Sequence, residues 1–327
     1  MHAFVHEGNE LIYKNLNDPV IEKGKVIIAL RAAGLNHRDL NIPSRRGENS
    51  IPLVLGSDGA GVIEQVGEGV KELTIGDEVI INPGLGWEKN SDAPPKGFEI
   101  LGMPDNGTFA EKIVIDAKQV EKKPDHLNWD EAGVLALPAL TGYRTLFTKA
   151  QVKKGDTIFI PGAGSGVATY LIQFAKAAGA KVIVTSRSKE KLGKAKEIGA
   201  DLAIDTHEDW ESLLRNETID IVIDSVGRAT FNRSLSVLKK GGKMITFGST
   251  TDDEITINIR QFFYGQYQLF GSTMGSTEEF KEMLDFISKH QIKPVVDHVF
   301  PLNNTQAAFD YLRAGKQFGK VAISINR

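Results

Sequence analysis

The sequence predicts an α/β protein of two domains: a β-rich, barrel-like domain, then a doubly wound parallel sheet, with the end of the chain returning to the first domain. Three observations carry this. At 327 residues the chain exceeds what one ordinary hydrophobic core organises. Residues 1 to 121 hold short apolar runs broken by Gly, Pro, Asn and Asp, with no long helical pattern between them. From Thr157 onward, β-branched runs alternate with helically spaced apolar residues, the pattern of parallel strands joined by right-handed crossovers.

In the first domain the expected strands include Val26 to Leu30, Gly61 to Val66, Glu78 to Ile81 and Glu111 to Ile115. Gly84 to Gly107 reads as a long surface excursion that returns into the strand F-A-E-K-I-V-I. The texture changes near Lys122-Lys123-Pro124, which sets the expected domains at 1–122, 123–272 and a return over 273–327. From Trp129 the spacing turns helical and is interrupted by Pro138, which is expected to end one helix and begin another because its ring clashes with the preceding turn.

The densest signal follows. Thr157 to Ile160 runs into a turn holding Gly162, Gly164 and Gly166, and Val167, Leu171, Ile172, Phe174 and Ala175 then recur at helical spacing before a second strand, Val182 to Val184. Glycine lets backbone N–H groups approach a pyrophosphate closely, and the following helix aims its positive end at the same point. The turn Gly162, Ala163, Gly164, Ser165, Gly166 and Val167 therefore reads as a dinucleotide site. About 20 residues on, where an acid would hold a ribose 2′-OH, stand Thr185, Ser186, Arg187 and Ser188. Ser186 and Arg187, with Lys191, suit a 2′-phosphate and favour NADPH over NADH; the plain alternative is that Arg187 is a solvated charge at a strand end.

The second half of that sheet is expected from Ile219 to Gly227, a helix through Leu238, a strand from Lys243 to Gly248 and another from Tyr267 to Ser272. Its strand-end loops bring Ser225 and Val226, Phe247 and Gly248, and Phe270 and Ser272 to the cofactor side, although each is also an ordinary strand-ending turn. An amphipathic helix after Glu278, the run V-V-D-H-V-F-P-L, a helix A-A-F-D-Y-L and the strand K-V-A-I-S-I do not extend the parallel pattern and are assigned to the first domain.

Composition removes several function classes. A net charge of −3 with both signs interspersed offers no nucleic-acid footprint and no polybasic membrane patch. No transmembrane run or signal peptide is visible, so a cytoplasmic location is expected. There is no cysteine, and the seven histidines include no H-E-x-x-H, so no metal site is expected.

The motifs A-A-G-L-N-H-R-D-L (32–40), I-P-L-V-L-G-S-D-G-A-G-V-I-E-Q-V-G-E-G-V (51–70), I-G-D-E-V (75–79), A-L-T-G-Y (139–143), the glycine turn and F-G-K-V-A-I (318–323) make the chain resemble the medium-chain dehydrogenase/reductase superfamily over nearly its whole length. The resemblance implies a GroES-like catalytic domain, a Rossmann domain and a cleft between them. The zinc alcohol dehydrogenases of that superfamily carry cysteine at the position of Asn36, histidine at that of Ser57 and a further cysteine near Leu137. Lacking all three, as well as the structural-zinc cysteines, the chain is similar instead to the zinc-free quinone oxidoreductase and enoyl reductase branch, with Asn36 and Asp39 in its N-x-x-D pattern. It departs from that branch at Asn41, where tyrosine is common, and at Ser165 and Ala168 in the fingerprint.

What the resemblance implies is hydride transfer from NADPH to a conjugated carbonyl, a quinone or an enone. Asn36 is the first candidate to hold the oxygen that gains charge, with a buried, internally bonded amide as the alternative; Arg38 and Lys320 are candidate cations and Asp39 belongs to the same motif. His37 would face the pyrophosphate, with an ordinary exposed histidine as the alternative, while Thr141 and Lys320 would touch the nicotinamide end. An enoyl thioester reductase and an alcohol dehydrogenase-like enzyme are the rival activities, and an NADPH-binding scaffold is the non-enzymatic one. The superfamily also implies a homodimer or homotetramer, for which the strand Y-Q-L-F offers a pairing edge.

Overall fold

A computed structural model gives the fold and describes residues 1–47 and 51–326. The chain folds into two compact units, Met1–Leu140 with Gly275–Arg327, and Thr141–Met274. Among the described residues no helix is long and apolar enough to cross a membrane.

In chain order the first unit begins with β1 (His2–Glu7), β2 (Glu10–Asn15), β3 (Lys25–Gly34), α1 (His37–Arg46), β4 (Leu53–Val54), β5 (Asp58–Val66), β6 (Glu78–Ile81), β7 (Gly84–Leu85), β8 (Glu99–Ile100), β9 (Lys112–Asp116), β10 (Val120–Lys122), α2 (Trp129–Gly133) and α3 (Ala136–Tyr143). The second unit carries a π-helical segment over Arg144–Ala150, then β11 (Thr157–Pro161), α4 (Gly166–Ala177), β12 (Lys181–Ser186), α5 (Lys189–Glu197), β13 (Leu202–Asp205), α6 (Trp210–Leu213), β14 (Ile219–Asp224), α7 (Phe231–Val237), β15 (Leu238–Thr246), α8 (Ile259–Tyr264) and β16 (Gln268–Gly271). The chain then rejoins the first unit with α9 (Thr277–His290), β17 (Val296–Pro301), α10 (Thr305–Arg313) and β18 (Lys320–Ser324).

The first unit is built on a seven-stranded sheet ordered β10-β6-β5-β3-β18-β17, with β9 also pairing with β3, beside a three-stranded sheet β2-β1-β4. Their inward faces bury Phe4, Ile28, Leu30, Ile63, Val79, Phe109, Phe309 and Val321 in one core. The excursion from Gly84 to Gly107 closes on itself through the β7–β8 pair and is anchored by the buried Trp87, which packs edge-on against Phe98.

Two expectations are corrected here. The stretch 123–140 belongs to the first unit, so the boundary near residue 122 moves to 140: α2 lies against β3 so closely that a Cβ on Gly133 would fall 2.5 Å from the Ala32 side chain. Helical spacing reveals a helix but not the core it covers. The other correction is α1, which stands where the sequence shows no long helical pattern. Only Asp39 and Ile42 of α1 are buried, so its apolar stripe is too thin to read, and Arg45 and Arg46 in its last turn complement the helix dipole. Pro138 does separate two helices, but the break falls at Val134–Leu135 and the proline sits in the first turn of α3, where its missing N–H costs nothing.

The second unit is the doubly wound sheet, ordered β13-β12-β11-β14-β15-β16 with every pair parallel. Strand β13, which lies between the two halves read from the sequence, forms one edge. Phe159, Ile183, Trp210, Val222, Phe231 and Met244 form the core of this unit.

Candidate active site

The polar cluster of the first unit grows from the junction of β3 and α1. The Asn36 backbone N–H donates to Asp39 Oδ2 at 2.8 Å, an N-terminal cap that starts α1. Its Nδ2 donates to Asp58 Oδ2 at 2.9 Å, and its Oδ1 accepts from Lys320 Nζ at 2.6 Å. Lys320 Nζ also donates to the Leu35 carbonyl at 2.5 Å and lies 3.4 Å from Asp58 Oδ2. The other Asp58 oxygen accepts the Leu137 backbone N–H at 2.7 Å. Arg38 Nη1 donates to Ser57 Oγ at 2.6 Å and to the Leu101 carbonyl at 2.9 Å.

Burial governs the electrostatics of this cluster. Asp39 and Asp58 are 0% exposed and Lys320 is 4% exposed. Burial raises Asp39 to about 6, overriding the Asn36 N–H and the charges of Arg38 and Lys320; its Oδ1 has no hydrogen-bond partner among the described residues. Burial lowers Lys320, against the opposing pull of Asp58 and Asp39, and lowers Arg38 as well. His37 is exposed, yet the packing around it desolvates the ring and, with the Lys320 charge, lowers its pKa.

A catalytic metal does not fit this donor set. The amide oxygen of Asn36 already faces an ammonium, the Ser57 hydroxyl faces a guanidinium, and position 137 is leucine. Among the described residues no group of three or more His, Asp or Glu side chains converges as a metal site.

In the second unit the glycine turn joins β11 to α4. Gly162 has φ +83°, a conformation that favours glycine, and the N–H groups of Gly162 and Ala163 donate to the Thr185 carbonyl at 3.1 and 2.8 Å, tying the turn to β12. Ser165 caps α4, its Oγ accepting the Ala168 N–H at 3.1 Å, which leaves the N–H groups of Gly166 and Val167 without intrahelical partners. The Lys191 stem crosses Gly164: a Cβ there would lie 2.8 Å from Lys191 Cδ and 3.4 Å from Nζ. Ser186 is nearly buried at the end of β12 and Arg187 beyond it is exposed. A bare turn, open helix-end donors and an ammonium alongside are what a dinucleotide phosphate needs, so this unit fits such a cofactor.

The loops at the ends of β14, β15 and β16 join the same edge. A Cβ on Gly162 would lie 3.1 Å from Val226, and one on Gly248 would lie 3.8 Å from Ser225. Phe247 and Phe270 are half-buried. The Ser272 N–H donates to the Thr246 carbonyl at 2.8 Å, and Thr145 Oγ1 lies 3.2 Å from Ser272 Oγ and 2.7 Å from the buried Thr141 carbonyl. The structure thus gathers Asn36, Arg38, Asp39 and Lys320 in one unit, and the glycine turn, Ser186, Arg187, Lys191 and the strand-end loops in the other.

Two residues escape a reading of the sequence alone. Asp58 is visible there only as a charge at the head of a buried, glycine-rich strand. Asp224 holds the 225–227 loop, accepting from the Val226 N–H at 2.8 Å, the Gly227 N–H at 3.1 Å, Thr230 Oγ1 at 2.7 Å and Ser234 Oγ at 2.9 Å. Its signal is a carboxylate ending an otherwise apolar strand.

Known proteins share the two-domain fold. Residues 22–125 match the model of an alcohol dehydrogenase GroES-like domain, and residues 166–289 match that of a zinc-binding dehydrogenase. A zinc-type alcohol dehydrogenase-like protein of Schizosaccharomyces pombe is 35% identical over 94% of this chain and 92% of its own. A 2-methylene-furan-3-one reductase of Solanum lycopersicum is 33% identical over 94% of this chain and 74% of its own. A solved structure of an NAD-dependent alcohol dehydrogenase superposes with a TM-score of 0.93 at 34% identity, each chain covered in full. With both halves matched in order and relatives of this identity over most of their lengths, the chain belongs to the oxidoreductases of the medium-chain dehydrogenase/reductase superfamily.

Proposed function

We propose that the protein is an NADPH-dependent reductase that delivers hydride to a conjugated carbonyl, a quinone or an enone, without a catalytic metal. The observation that carries this reading is the occupancy of the Asn36 and Ser57 oxygens by Lys320 and Arg38, which leaves no donor set for a Lewis acid. When bound, NADPH would supply the hydride. An amide has two N–H donors and Asp58 takes one from Asn36, so the second is available to an oxygen gaining charge. A neutral donor suits an enolate, whose charge is already delocalised, better than the alkoxide of a simple alcohol. The phosphates are assigned to Gly162–Val167, and the 2′-phosphate to Ser186, Arg187 and Lys191. The tomato relative, a 2-methylene-furan-3-one reductase, supports an enone substrate, whereas the yeast zinc-type alcohol dehydrogenase-like protein and the solved alcohol dehydrogenase support the rival alcohol reading.

The test is NADPH oxidation by protein dialysed against a chelator, with methyl vinyl ketone, a naphthoquinone, a crotonyl thioester, and primary alcohols with NADP⁺ in the reverse direction. Enone or quinone turnover is expected to survive chelation and to exceed alcohol turnover. Asn36→Leu is expected to lower kcat by about 10²–10³ with NADPH affinity retained. Faster primary-alcohol oxidation, or activity that chelation abolishes and zinc restores, would refute the reading; preferred thioester turnover would move it to the enoyl thioester class. Stoichiometric NADPH binding with no acceptor reduced would leave a scaffold.

A further inference from the structure

We propose that Lys320 is a positioning residue whose ammonium holds Asn36 and Asp58 in a single orientation. Four separate elements meet at this point: Asn36 before α1, Asp58 on β5, Leu137 on α3 and Lys320 on β18. The bonds have one consistent polarity. Asn36 Oδ1 faces the ammonium at 2.6 Å and Asn36 Nδ2 faces the carboxylate at 2.9 Å, so a flipped amide would set NH₂ against Nζ and the carbonyl against Asp58. Both contacts would then be repulsive, so the ammonium locks the amide. The three Nζ protons are directed at the Leu35 carbonyl, Asn36 Oδ1 and Asp58 Oδ2, which leaves none for a bound cofactor. The Asn36 amide and the Leu137 backbone N–H both donate to Asp58, so the carboxylate that pairs with Lys320 also ties these two elements together. The charge here is built into the chain, and its kinetic consequence rests on the reading of Asn36 given above.

The test compares Lys320→Met, Lys320→Ala and the double variant Lys320→Met/Asp58→Asn with the parent. Lys320→Met is expected to keep NADPH affinity within about threefold, lower kcat about 10–100-fold with KM little changed, and lower Tm by on the order of 10 °C. The double variant, in which the carboxylate paired with Lys320 is neutralised as well, is expected to recover most of the Tm and none of the kcat. If the single variants do not fold, folding of the double variant carries the stability arm. In Lys320→Ala, n-propylammonium is expected to restore Tm and turnover while n-propanol does not, since a space-filling role would be rescued by either. Loss of NADPH affinity beyond tenfold with kcat retained would make Lys320 a cofactor contact and overturn the proposal, as would equal rescue by the alcohol. If the parent reduces no enone or quinone, the functional reading fails on its own, and the Tm and amine results still decide whether this charge is the one that orders the cluster.

Discussion

Asp39 is a buried carboxylate whose local surroundings oppose its charge. Its pKa rises from 3.8 to about 6, so the folded state binds this proton more tightly than the unfolded chain does. The stability tied to the proton is therefore present at low pH and is lost as pH rises from about 4 through about 6, leaving a cost of about 3 kcal/mol at neutral pH. Asp39→Asn keeps an oxygen for the Asn36 N–H and removes the charge. Urea unfolding at pH 5 and pH 7.5 is expected to show the variant's advantage over the parent growing by about 1 kcal/mol toward the higher pH; an equal difference at both would refute the assignment. Arg187 presents the opposite case, an exposed cation at the end of β12. A charge-assisted bond to a 2′-phosphate is worth about 1.5–3 kcal/mol, so NADPH is expected to bind about ten- to hundredfold more tightly than NADH. Arg187→Asp should erase or reverse that ratio in a binding titration, and equal affinities in the parent would sink the idea.

At the scale of elements, β16 is the edge of the parallel sheet, and its far side has no strand partner among the described residues. Leu269 on this strand is 40% exposed, and nearby in sequence Ile259, Phe263 and Tyr264 of α8 are 71%, 50% and 67% exposed. An open apolar edge is a liability that a second copy relieves by pairing across a two-fold axis. The protein is expected to run as a dimer in light scattering at micromolar concentration, and Leu269→Lys is expected to shift it toward monomer with little change in helix content. A monomeric parent would show that the edge is tolerated bare. Elements also mark where sequence patterns stop being readable. Helix α9 is legible because its first turn is acidic and Phe280, Met283, Leu284 and Ile287 are all buried. Helix α1 is not, because it buries one apolar side chain and one carboxylate.

For the whole molecule, periodicity alone determined a great deal. The alternation of β-branched runs with helical spacing marked out the parallel sheet, the glycine turn marked the junction of its first strand and helix, and the missing cysteines removed thiolate chemistry. These signals act between residues a few positions apart, where strand and helix geometry force a repeat into the chain. Tertiary structure decided what local repeats do not encode: which core α2 covers, and what the Asn36 amide is bonded to. Asn36 meets Asp58 from 22 positions away and Lys320 from 284, and Asp58 reaches Leu137 across 79. No local pattern registers such distances. The cluster forms because burying two carboxylates and an ammonium is tolerable only when each finds its partners, and those partners come together only after the strands that carry them have paired.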